Sequence, residues 1–189
     1  MDPLSHLKGI KLMKIKPTLL IVLISLVLVQ AGHAEDVMQS FSGMLWGTSI
    51  EDVRGLQESA RDGDIHYYKR AEDFYNIAGV TLPDVIYGFY QGKYFAAYIK
   101  LTSADAFDKV KRHLDTVYGD ARSQLRINQT IYIWEYLDVK IKLKQYRDTS
   151  DAKLAFYYMP LSMKANEAKA KADTEKVYQL DQYDPEFDF

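Results

Sequence analysis

The sequence predicts an α+β protein, an antiparallel sheet of about six to eight strands with two main helices packed on one face. Three observations carry this. Runs rich in tyrosine, isoleucine and valine recur between turn residues, as in Val85–Tyr90, Tyr94–Leu101, Ile131–Tyr136 and Val139–Tyr146. One segment, between a cap at Thr102 or Ser103 and Gly119, spaces its apolar residues at helical intervals, with Phe107, Val110, Leu114, Val117 and Tyr118 forming the stripe. The order of a helix followed by strands occurs twice, which favours helices layered on a sheet over alternating βαβ units.

Each element has its own signal. Phe41–Gly47 reads as a short strand. Thr48 or Ser49 then caps a first helix, with Glu51 and Asp52 at capping-box spacing, Ile50, Val53 and Leu56 as its apolar face and an end before Gly63. Ile65–Lys69 reads as a strand. Asp84–Leu101 reads as a hairpin turning at Gln91-Gly92, and a two-residue turn there pairs Tyr90 with Lys93, Gly88 with Phe95 and Ile86 with Ala97. The strong helix follows, capped by Thr102 or Ser103 and ended by Gly119. Three strands complete the body: Ile131–Tyr136, Val139–Tyr146 and Lys153–Met159, the last two parted by the turn-prone Asp148-Thr149-Ser150-Asp151. The stretch 161–180 is rich in alanine and charge and reads as an exposed helix; 181–189, with Asp181, Asp184, Glu186, Asp188 and Pro185, reads as a disordered acidic tail.

The first 34 residues carry a different message. Lys8, Lys11, Lys14 and Lys16 precede an apolar run from Leu19 to Val29 interrupted only by Ser25, and Ala31-Gly32-His33-Ala34 follows. This is the order of a secretory signal peptide, with cleavage expected after Ala34. Met13 opens a compact version of the same signal and is an alternative start. The apolar run is shorter than the roughly 20 residues a spanning helix needs, so no membrane span is expected after cleavage. Residues 35–160 then form a single domain, and the expected location is the periplasm.

Composition narrows the function classes. The chain has 24 basic and 26 acidic residues; the four lysines and one aspartate before Glu35 leave 20 against 25, a net charge of −5. That balance offers no general basic excess for phosphates and argues against nucleic acid as partner. The absence of cysteine excludes a disulfide framework, thiol chemistry, Cys-ligated zinc and a lipid-bearing N-terminal cysteine. Residues 35–189 hold two histidines, His66 and His113, neither with a histidine at i+4, and neither a nucleophile elbow nor a glycine-rich phosphate loop occurs. Paired acids such as Asp62 with Asp64 and Asp148 with Asp151 lack calcium-loop spacing and read as turn residues. No cofactor and no metal are expected. A metal-independent hydrolase using His66 or His113 with a carboxylate is the alternative to a binding role, and a purely structural envelope component is a third.

What exceeds background is tyrosine, 15 in all, and its alternation in strands. If Ile131 and Ile133 point to the helices, Tyr132, Trp134 and Tyr136 share the opposite face. Joined by Tyr87, Phe89, Tyr94 and Tyr98 from the hairpin and by Lys140, Lys142 and Lys144, they predict a face of rings and ammonium groups. Such a face suits recognition of an envelope protein or extended ligand. The competing account is that tyrosines merely cover a half-wet sheet, since they are good strand formers. Trp46-Gly47 reads as a core plug at a tight turn.

Phe41-x-Gly43-x-x-Trp46-Gly47-x-Ser49, followed by Tyr87-Gly88-Phe89-Tyr90, resembles uncharacterised exported proteins of Gram-negative bacteria. The helix-then-strands order is also similar to that of the beta-lactamase inhibitor protein and of the SmpA/OmlA outer-membrane assembly lipoproteins, in which a helix-backed sheet binds proteins. That resemblance implies a protein partner. The lipid-attachment cysteine of the lipoproteins is absent here.

Overall fold

The computed structural model describes residues 37–149 and 151–181, with side chains to residue 174. The chain divides into a segment Met1–Glu35 and a compact unit Asp36–Phe189. The expected signal segment, the expected cleavage point at Ala34 and the tail after Asp181 lie outside the described residues.

The fold is α+β, dominated by one antiparallel sheet of eight strands. After a small hairpin, β1 (Ser40–Phe41) and β2 (Met44–Leu45), come β3 (Leu56–Asp62), β4 (Ile65–Arg70), a second hairpin β5 (Phe74–Ile77) and β6 (Val80–Pro83), then β7 (Ile86–Tyr90) and β8 (Lys93–Leu101). Helix α1 (Ala104–Tyr118) leads to β9 (Arg122–Arg126), β10 (Gln129–Tyr136), β11 (Val139–Tyr146) and β12 (Ala152–Tyr158), and α2 (Met159–Asp181) ends the described chain. Spatial order in the large sheet is β3-β4-β7-β8-β12-β11-β10-β9. Two four-stranded meanders thus meet through their last strands, β8 and β12, paired antiparallel from Ala152 opposite Leu101 to Tyr157 opposite Ala96.

Helix α1 forms where the periodicity requires it. The Ser103 hydroxyl accepts from Ala106 N at 3.2 Å, and Ala106, Phe107, Val110 and Leu114 are buried. The first predicted helix does not form. Only a 3-10 turn, Ile50–Asp52, follows Ser49, whose side chain makes no capping bond. The backbone here is held by β8 and its turn: Gly47 N donates to Tyr94 O at 2.8 Å, Tyr94 N to Thr48 O at 2.9 Å and Ile50 N to Gly92 O at 2.9 Å. These non-local bonds satisfy the groups a helix start would leave unpaired. Leu56–Asp62, helical by composition, instead becomes an edge strand on β4, with a bulge between Glu58 and Ala60. The charge on β3 and its bulge guard the exposed edge.

The β7–β8 turn at Gln91 (φ 49°) and Gly92 (φ 72°) has positive φ at both central residues, the two-residue geometry that matches strand twist. Tyr90 faces Lys93 as expected, but the register slips beyond it, with Gly88 opposite Ala96 and Ile86 opposite Tyr98. Phe95 is the extra residue of a bulge. It therefore shares a face with Ala96, and the parity of every later residue in β8 is reversed. Gly88 keeps the crossing close: a Cβ there would lie 3.2 Å from the Tyr98 ring and 3.3 Å from Ala96 Cβ, so a neighbour would have to give way.

Strand alternation divides the buried residues between the two sides of the sheet. The main core gathers Phe107, Val110 and Leu114 of α1 with Phe41, Ile77, Leu82, Tyr87, Phe89, Tyr94, Trp134, Ile141, Leu143 and Phe156. Trp46 packs against it as a plug, stacked on Tyr94 at 4.8 Å, with its Nε1 donating to Val37 O at 3.0 Å. On the other side a smaller cluster joins Ile65, Tyr90, Phe95 and Ala96 to Ala165 of α2, with Leu161 and Ala168 alongside. The first half of α2 is therefore packed rather than exposed, its small residues letting the helix lie close to β7, β8 and β12. The helices back opposite faces of the sheet. Among the described residues no helix is long and apolar enough to cross a membrane.

Candidate functional site

The predicted ring-and-lysine face separates into two opposite faces. Tyr87, Phe89, Tyr94 and Trp134 are 3% exposed or less and belong to the main core. Tyr132 is half-buried beneath α1, with Phe107 at 5.9 Å between ring centroids and the Lys111 ammonium 4.9 Å above its ring. Tyr136 alone of this group stays open, at the end of β10. The cause is register. A two-residue turn at Leu137-Asp138 sets Tyr136 opposite Val139, Trp134 opposite Ile141 and Tyr132 opposite Leu143, so the rings share a face with the aliphatic side chains of β11. Trp134 also donates from Nε1 to Gly119 O at 2.9 Å, which satisfies its polar edge at the end of α1. Ile131 and Ile133, expected against α1, stand on the other side between Lys144 and Gln124, and between Lys142 and Arg122.

Of the predicted residues, Tyr98, Lys140 and Lys142 do share a face, the one backed by α2. The strand registers place Lys69 beside Ile86 and Tyr98, Lys100 beside Lys153, and Lys153 beside Lys144. Lys140, Lys142 and Lys144 follow one another along β11, and Arg122 and Arg126 of β9 lie on the same side. Cation concentration on this face contrasts with the acidic balance of residues 35–189. Acids answer part of it: Glu135 sits 2.8 Å from Lys140 Nζ and 3.5 Å from Arg122, Asp151 sits 2.8 Å from Lys100 Nζ, and Asp84 lines the groove with Lys69 and Lys100. The Lys140 hydrogen bond is the main reason the Glu135 carboxyl lies below its ordinary range. Lys142 lies below the usual ammonium range, first because it is partly buried, then because Lys140, Lys144 and Arg126 surround it.

Tyrosines lie among these lysines. Tyr98 meets Tyr67 and Tyr157 edge-on, at 5.9 Å and 5.6 Å between centroids, and its hydroxyl interacts with that of Tyr157. Burial raises the Tyr98 and Tyr67 hydroxyls and pushes Tyr157 up to about 12, so all three are neutral donors at physiological pH. The Lys142 ammonium lies 5.2 Å over the Tyr157 ring. Next to α2, a groove of about 440 Å³ is lined by Tyr67, Lys69, Ile86, Tyr98, Lys100 and Lys153 among others. The sequence reading missed Tyr67, Lys69, Lys100, Lys153 and Tyr157. Their signal was available as two-residue alternation in Tyr67/Lys69, Tyr98/Lys100 and Lys153/Ala155/Tyr157, but it joins into one surface only through pairing of β8 with β12.

The histidines sit elsewhere. His66 Nδ1 lies 3.5 Å from Glu58, which also holds Arg61, and the neighbouring Ser59 hydroxyl donates to Tyr67 O. His113 is half-buried on α1. Among the described residues, no cluster of three or more histidine or acidic side chains is arranged to hold a metal ion.

No protein-family model matches the chain, and neither a curated protein nor a solved structure is significantly similar to it.

Proposed function

We propose that this chain is an exported binding protein that recognises an acidic, extended segment of an envelope protein through the lysine-tyrosine side of its sheet. The observation that carries the reading is the row Lys100–Lys153–Lys144, three ammonium side chains on directly paired positions of adjacent strands. Like charges directly opposite one another destabilise a sheet. A chain with more acids than bases has ample means to avoid that cost. Carboxylates of a ligand laid over the row remove it, and the neutral hydroxyls and ring faces of Tyr67, Tyr98 and Tyr157 supply contact area with few rotors to freeze. The signal-like segment 1–34 supports export to the periplasm.

Isothermal titration of poly-glutamate, with poly-lysine as the control, tests the reading. The expected result is binding of poly-glutamate alone, weakened steeply by salt and at least tenfold by Lys144→Glu with Lys153→Glu. Equal affinity in wild type and the double variant overturns it. Intact mass of the exported protein tests the localisation: a chain beginning at Glu35 is expected, and one retaining residues 13–34 refutes cleavage.

A further inference from the structure

Resting on that reading, we infer that the lysine side of the sheet is also a self-association surface, occupied by the acidic segment 184–188 of a second copy of this chain. The sequence Asp184-Pro185-Glu186-Phe187-Asp188 alternates acids with apolar residues, so an extended backbone carries its three carboxylates on one side, about 7 Å apart. Lys140, Lys142 and Lys144 alternate along β11 with the same period of two and stand on one face. Carboxylates and ammonium groups therefore match in sign and in spacing over Lys140–Lys144, with Lys140 shared with Glu135. The odd positions, Phe187 and Phe189 with Tyr183, point the other way from the acids in an extended segment. No basic residue lies between Asp181 and Phe189 to weaken the match.

The geometry assigns the segment to another copy rather than to its own chain. Helix α2 starts beside the β10–β11 turn, where Met159 N donates to Asp138 O at 2.7 Å, and crosses β12, β8 and β7. By Lys169 it has reached the β3–β4 turn, where Lys169 pairs with Asp62. Its last twelve residues, Ala170 to Asp181, carry the chain about 18 Å further from β11 at helical rise. Returning from β3 to β11 crosses five strand spacings, about 24 Å more. The three residues from Asp181 to Asp184 span at most about 10 Å, far short of that path. A second molecule has no such limit, and reciprocal exchange of the segment closes a two-fold pair.

Sedimentation velocity on the unit Asp36–Phe189 tests this. The expected result at low salt is a mass twice that of one chain, falling to a single chain in high salt. The variant Asp184→Asn/Glu186→Gln/Asp188→Asn leaves every described contact in place and is expected to stay single at all salt concentrations. The charge swap Lys142→Glu/Lys144→Glu is expected to abolish pairing alone and to recover it when mixed with Glu186→Lys/Asp188→Lys. A synthetic peptide of residues 181–189 added to the neutralised variant is expected to shift the amide resonances of Lys142, Lys144 and Tyr157. Unchanged mass across the wild type, the neutralised variant and the charge swap overturns the inference. If in that case poly-glutamate still binds the face, the recognition reading survives; if neither poly-glutamate nor the peptide perturbs it, both fall.

Discussion

Lys153 is the middle member of the row, with Lys100 on one side and Lys144 on the other. Lys153→Glu converts two like-charge neighbours into two opposite-charge neighbours without touching the core, because Lys153 is exposed. Two unit charges about 6 Å apart interact by about 0.7 kcal/mol in a water-like dielectric, so reversing the sign at both contacts sets an upper bound near 3 kcal/mol. Solvent screening and side-chain freedom reduce such pairs to about 0.2–1 kcal/mol each. Lys100 already has Asp151 as a partner, which would face the new glutamate, and the Lys153 ammonium 5.8 Å over the Tyr146 ring is lost. The net expectation is a gain of about 0.5–1 kcal/mol in low salt. Urea unfolding followed by tryptophan fluorescence reads this as a midpoint raised by up to about half a molar, given a slope of about 2 kcal/mol per molar. In 1 M salt the Debye length falls to about 3 Å and the gain should vanish. Poly-glutamate binding should weaken in the same variant, so stability rises as recognition falls. A midpoint that falls, a gain that persists in molar salt, or unchanged affinity would refute the claim that the row trades stability for binding.

Two further expectations test the division of the aromatic residues. Trp134→Ala should cost about 3–5 kcal/mol by urea unfolding, since it empties a buried ring site, whereas Tyr136→Ala on the same face should stay within about 0.5 kcal/mol; neither should change poly-glutamate affinity once folded protein is compared with folded protein. Burial, with the Asp73 hydrogen bond second at Tyr87, pushes the Tyr87 hydroxyl up to about 12, and burial does the same to Tyr118 and Tyr157. A group whose folded pKa is raised keeps its proton in the fold, so stability is full below the unfolded value near 10 and is lost as pH climbs from 10 toward 12. Tyrosinate absorbance should therefore rise together with unfolding in that window, and ionisation of all 15 tyrosines near pH 10 in a folded chain would contradict it.

Much of the fold was legible locally. The spacing of Phe107, Val110 and Leu114, the Ser103 cap and the Gly119 stop define α1 without reference to the rest of the chain. The alternation Val139/Ile141/Leu143 against Lys140/Lys142/Lys144 defines a strand with one dry side, as observed. The candidate site was half legible. Strand alternation picks out Lys140, Lys142 and Tyr98, which do lie together, but it puts Tyr132 and Trp134 on the wrong side. The deciding clue was present in the Leu137-Asp138 turn: its two-residue length fixes Trp134 opposite Ile141, and cross-strand partners share a face. Hydrophobicity by itself pointed the other way, because isoleucine ranks as more buried than tyrosine, while the lysine stems beside Ile131 and Ile133 supply the apolar cover those residues need.

Sequence alone determined the elements whose hydrogen bonds close within a few residues: α1, the β7–β8 and β10–β11 turns, and the two-residue period of the strands. It also determined the absence of thiol chemistry and the acidic character of residues 35–189. Only tertiary structure decided that Leu56–Asp62 is a strand, since its backbone bonds are made to β4 and the preceding turn is anchored on β8. The Phe95 bulge, which reverses parity and carries Tyr98 away from Tyr94, and the β8–β12 pairing, which aligns Lys100 with Lys153, belong to the same class. Local propensity is blind to these because each depends on a partner strand outside the segment itself, from the adjacent β4 for Leu56–Asp62 to β12 for Lys100, whose contribution exceeds the fraction of a kcal/mol by which one residue prefers helix or strand.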